Sequence, residues 1–85
     1  MGSAGRIKPD LLGKKLLAIR IKLDMSQIQL AEKLSNKRIQ LRKSDISRYE
    51  SGLREPSLLT LLQYARLANV TMEMLVDDEI EPPNF

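Results

Sequence analysis

Eighty-five residues make one small domain at most, and the lack of cysteine and histidine removes disulfides, thiol nucleophiles, imidazole bases and the usual zinc ligand sets. Aromatic residues at 4% leave little for stacking on single-stranded bases, while 42% apolar residues suffice for a small core. Net charge is +3, but residues 1–54 hold thirteen of the fourteen Lys and Arg against five acids, and residues 55–85 hold one against six. Such a division reads either as an ordinary solvated surface or as one face that meets a polyanion.

Residues 1–9 carry no periodic pattern and are expected to form a flexible N-terminus. No apolar run reaches the length of a signal core or a membrane span, so an intracellular, cytoplasmic protein without membrane attachment is expected. Leu12, Leu16, Ile19 and Leu23 share one helical face, with Asp10 as the candidate N-cap and Lys14, Lys15 and Lys22 facing away. This first helix fades near Asp24.

Ser26 and Gln29 are spaced as a capping box, flanked by Met25 and Leu30 as a hydrophobic staple, so local chemistry fixes the start of a second helix through Leu34. Ser35-Asn36 ends it, Asn being tolerant of the left-handed conformation. Residues 37–43 carry four cations without a clear period and read as a basic loop. A short third helix follows, with Ser44 as cap, Asp45 in the first turn, Ile46 and Tyr49 on the inner face and Gly52 as the C-terminal stop.

Pro56 and Ser57 open a fourth helix with an apolar stripe of Leu58, Leu61, Leu62, Ala65 and Ala68, ended by Asn69. Thr71 caps a last short helix containing Met72, Leu75 and Val76. Residues 77–85 form an acidic tail that is not expected to pack firmly.

A capped helix with small Ala31 inside, a connection, and a short helix with polar residues beside Ile46 meet the needs of a helix-turn-helix. The words Leu12-Gly13, Leu16, Ile19-Arg20, Ser26-Gln27, Leu30-Ala31, Leu34, Ile46-Ser47-Arg48-Tyr49-Glu50, Gly52, Pro56-Ser57, Leu61, Ala65, Val70 and Leu75 carry a resemblance over about residues 11–76. In that order the chain resembles the Cro/C1-type (XRE, lambda-repressor-like) helix-turn-helix family.

The resemblance implies an all-α, five-helix DNA-binding domain at residues 10–76, a homodimer, and a double-stranded DNA operator as ligand. Helix 3 would lie in the major groove. Its base-reading positions fall on Lys43, Ser44, Ser47 and Arg48, with Ser44 also open to a capping role. Arg48 suits guanine, whose O6 and N7 can accept two hydrogen bonds from a guanidinium. Phosphate contacts fall on Gln27, at the positive end of helix 2, and on Arg54, whose other reading is an exposed charge beside Glu55.

The arginine and glutamate matching Arg20 and Glu50 imply a structural ion pair between helices 1 and 3. Leu34 and Ile46 stand about five residues further apart than the family's turn allows. The enlarged basic turn places Lys37, Arg38, Arg42 and Lys43 where they can meet phosphates, enter a minor groove, or keep a loop solvated. Phosphate contact is the favoured expectation for Lys37, Arg38 and Arg42.

Family habit implies a transcriptional repressor, found at the nucleoid when DNA-bound. Alternatives are an antitoxin-type autorepressor with a toxin partner, or a protein-interaction adaptor using Met72, Met74, Val76, Ile80 and Phe85. No enzyme, cofactor or metal is expected: Asp77, Asp78, Glu79 and Glu81 lack a fixed geometry for a cation, and no nucleophile has a recognisable base.

Overall fold

A computed structural model describes residues 9–81. The expected flexible start therefore lies outside the described residues apart from Pro9, as do residues 82–85 of the acidic tail. Five helices run in order: α1 Leu12–Lys22, α2 Gln27–Leu34, α3 Lys43–Ser51, α4 Leu58–Ala68 and α5 Met72–Val76. No strand occurs among the described residues. The fold is all-α with five helices, as the sequence predicts.

Each helix turns one stripe inward. Leu12, Leu16 and Ile19 from α1, Leu30, Ala31 and Leu34 from α2, and Ile46 and Tyr49 from α3 meet Leu61, Tyr64, Ala65 and Leu75 from α4 and α5 in one core. A fully buried Leu or Ile contributes about 1.5–3 kcal/mol. α3 packs against both α1 and α2, while α5 returns to α1. Tyr64 is buried with its hydroxyl unpartnered among the described residues, and that burial pushes its phenol pKa well above the usual 10.

Close approach of α1 and α3 depends on Gly13. A Cβ at that position would stand 2.8 Å from the Glu50 carbonyl oxygen and 3.0 Å from that of Tyr49. Both atoms are backbone, so only a shift of a whole helix would relieve the clash.

Most local stops and starts fall where the sequence places them. Ser26 Oγ accepts the Gln29 amide at 3.1 Å while Gln29 Oε1 accepts the Ser26 amide at 2.9 Å. Ser57 and Thr71 cap α4 and α5 through the amides of Thr60 and Met74. Gly52 (φ 80°) and Asn69 (φ 57°) take the left-handed conformation that ends α3 and α4.

Five local expectations are corrected. Leu11, not Asp10, holds the N-cap position of α1, with no side-chain cap. Asp78 from beyond α5 binds the chain just ahead of the helix instead, its carboxylate accepting the amides of Asp10 at 2.9 Å and Leu11 at 3.1 Å. Asn36 does not take the left-handed conformation; at the end of α1 it is Asp24 that does, with φ 56°. α3 begins at Lys43 rather than behind a Ser44 cap, because Asp45 Oδ2 accepts the Arg42 amide at 2.8 Å. On α4, Leu58 is 75% exposed and stands outside the core.

The fifth correction concerns Lys15, which is fully buried rather than facing away. Residues 12, 15, 16 and 19 share one helical face, so position 15 points inward whatever occupies it. Its ammonium donates to the Met74 carbonyl at 2.6 Å and the Asp77 carbonyl at 2.7 Å, placing a positive charge at the negative end of α5. Lys15 and Asp78 thereby clasp the start of the acidic tail onto α1, so the tail is docked at least through Asp78.

Gly13→Ala is expected to lower stability by about 1–3 kcal/mol through overpacking, against a helix-propensity gain of about 1 kcal/mol; urea unfolding measures the net. The two amides bound to Asp78 hold its carboxyl below the usual 3.8. Its contribution to stability is therefore present above that value and lost as pH falls through the lower, folded-state pKa. In an NMR titration the Asp10 and Leu11 amide shifts should move with that apparent pKa, and Asp78→Asn should remove the step.

Candidate nucleic-acid interface

The inward positions of α3 are Ile46 and Tyr49, and helical phase then puts Lys43, Ser44, Ser47 and Arg48 on the outside. All four are exposed. The two acids of the helix are withdrawn from this face, each held by donors from other parts of the chain.

Glu50 is the more enclosed of these systems, its side chain only 6% exposed. Arg20 Nε donates to Oε2 at 2.6 Å, and Arg20 Nη2 to Oε1 at 3.1 Å, a two-pronged pairing that matches guanidinium to carboxylate. The remaining prong, Nη1, donates to the Met25 carbonyl at 3.0 Å. Hydrogen bonding to Glu50 raises the Arg20 pKa above its already high usual value. Gln27 Nε2 also donates to Glu50 Oε1, at 3.1 Å. One carboxylate thus joins α1, α2 and α3.

Asp45 forms the second system. It is buried, and its Oδ1 accepts Arg54 Nη1 at 2.8 Å while Oδ2 holds the Arg42 amide. The Arg54 guanidinium lies 5.9 Å from the centre of the Tyr49 ring. Its side chain remains 55% exposed, and it pairs with Asp45, nine residues back, which the sequence places in the first turn of α3 without assigning it this partner. An aspartate three residues after the N-cap position, Arg42, is the signal for its bond to the Arg42 amide; no local spacing signals the pair with Arg54.

The segment between α2 and α3 is indeed enlarged. Lys37, Arg38, Gln40 and Arg42 are exposed, whereas Ile39 is buried and Leu41 packs against the core. Lys37, Arg38, Arg42, Lys43 and Arg48 form no ion pair among the described residues. Exposed cations therefore gather on and beside α3, with the nearby acids facing inward.

A helix-turn-helix family model matches residues 16–75. The chain belongs to the Cro/C1-type helix-turn-helix family. No curated protein matches it. Membership makes this helix-turn-helix protein a DNA-binding transcriptional regulator in general terms. Among the described residues no helix is long and apolar enough to cross a membrane, and no acidic cluster is arranged to hold a metal ion.

Within this helix-turn-helix, Glu50→Ala would leave the Arg20 guanidinium largely buried and without its carboxylate. A loss of about 3 kcal/mol is expected from breaking such a pair, read as a lowered urea midpoint. Gln27→Ala removes one neutral hydrogen bond and should cost about 1 kcal/mol in the same assay.

Proposed function

We propose that the protein is a sequence-specific repressor that binds a near-palindromic operator as a homodimer, each α3 entering a major groove. The observation that carries this reading is the acid-free outer face of α3, on which Lys43, Ser44, Ser47 and Arg48 all project to solvent. Arg48 would donate to guanine O6 and N7, Lys43 would make a less rigid contact of the same kind, and the two serines can donate or accept. Gln27, Lys37, Arg38, Arg42 and Arg54 would meet phosphates, Gln27 and Arg54 with the donors that Glu50 and Asp45 do not use. Two copies would place their α3 helices about 34–36 Å apart, one turn of duplex.

A protein partner is the second reading, and exposed leucines favour it: Leu53 is 78% exposed, Leu58 75% and Leu59 51%. Of the described apolar residues first expected to serve an adaptor, Val76 is exposed and Met72, Met74 and Ile80 are half-buried, while Phe85 lies outside the described residues. The leucines suit a second copy, a toxin or another protein.

Selection of duplexes from a random pool, with the mass of the bound species measured alongside, tests the main reading. One enriched near-palindrome bound by two chains is expected. No enrichment together with a stable hetero-complex would favour the adaptor. On the selected duplex, Arg48→Ala should lose about 1–3 kcal/mol of discrimination at one base pair, whereas Lys37→Ala should weaken all sequences alike. Equal losses on every sequence from both would refute that division of roles.

A further inference from the structure

We propose that the connection between α2 and α3 is a preformed clamp for the sugar-phosphate backbone, lying on the groove wall opposite the one met by the N-terminus of α2. The inference rests on the DNA-reading role of α3 proposed above, and assigns Asn36 and Ser35 as the residues that position the clamp.

A long basic loop would ordinarily be mobile in solution and would lose conformational entropy on binding. This one is already folded. Ser35 Oγ donates to the Ala31 carbonyl at 2.7 Å and accepts the Leu41 amide at 2.9 Å, which ties the two ends of the segment together. Asn36 Oδ1 accepts the amides of Arg38 at 2.7 Å and Ile39 at 2.9 Å. The Asn36 amide donates to the Ile39 carbonyl at 2.8 Å, and Gln40 Nε2 to the Asn36 carbonyl at 2.6 Å.

Side chains then alternate along the segment. Ile39 and Leu41 turn toward the core, and Arg38, Gln40 and Arg42 turn to solvent. Residues 33–44 hold five cations and no acid, so nothing within the segment opposes a phosphate. Buried apolar anchors, a closed hydrogen-bond network and outward cations make a rigid positive edge.

The length of α2 fixes where that edge lies. Eight residues at 1.5 Å each separate Gln27 from the start of the clamp by about 12 Å, and the major groove is about 12 Å wide. With α3 in the groove and α2 crossing over it, as the first helix of such a pair does, the two ends of α2 would reach opposite walls. Gln27 meets the phosphates of one strand, and Lys37, Arg38 and Arg42 meet those of the other.

The test uses the full chain and its selected duplex, with uncharged methylphosphonates replacing single phosphates on either strand. Neutralisation on both walls should weaken the wild-type protein. Lys37→Ala/Arg38→Ala, at two exposed positions, should become insensitive on one strand only, and its slope of log K against log salt should be shallower by about 1.8 per subunit. Asn36→Ala should bind about 3- to 10-fold more weakly, the cost of ordering one or two side chains, with base preference unchanged.

A double variant that keeps the wild-type slope and phosphate pattern, while the wild type still selects one sequence, would overturn the clamp and leave the reading by α3 standing. Loss of sensitivity on both strands at once would refute the opposite-wall placement. A wild type that selects no duplex would remove the reading itself and the clamp with it.

Discussion

A carboxylate taken out of water must be met by donors, and Glu50 is met from two other helices. The Arg20 fork and the Gln27 amide fill its oxygens, while its own main-chain carbonyl lies where Gly13 leaves room. Side chain and backbone of one residue therefore fix the rotation of α3 against α1 and α2. A slip of one residue turns a helix face by about 100°. It would carry Ser47 into the place of Ile46, or Arg48 into that of Tyr49, and disrupt the core seat of both apolar residues, so orientation of the outer face and integrity of the core are one constraint.

The same arrangement sorts charge. Asp45 and Glu50 are spent inside the fold on Arg54, the Arg42 amide, Arg20 and Gln27. Lys15 is spent at the end of α5. What remains outward between Lys37 and Arg48 is positive without local opposition, a narrower feature than the basic part of the sequence suggests. Counting charges along the chain overstates the unopposed positive surface; subtracting the internal pairs narrows it to this stretch.

At the far end of the molecule, two contacts close the fold with opposite signs. The Lys15 ammonium occupies the carbonyl end of α5, and the Asp78 carboxylate occupies the amide end of α1. Each satisfies backbone groups that a helix terminus leaves open, and each also favours the helix dipole. The start of the acidic segment is therefore a structural part of the domain, although most of its acids remain at the surface.

How much of this was legible depends on the distance between partners. Ser26 with Gln29, Ser57 with Thr60, Thr71 with Met74, and the left-handed stops at Gly52 and Asn69 involve atoms within a turn of one another, so residue type and spacing sufficed. The inward phases of Ile46 and Tyr49, and with them the outward positions of Ser47 and Arg48, were equally local. Lys15 looks outward by its chemistry although its helical position faces inward, and the acceptors that permit its burial lie 59 and 62 residues away. Asp78 stands 68 residues from the Asp10 amide. By itself the sequence determined where helices start, stop and turn their apolar faces, since those choices are settled by neighbouring backbone groups. Only the tertiary structure decided which charges are consumed inside and which face outward, because a charged side chain's energy depends on the groups that the fold brings opposite it.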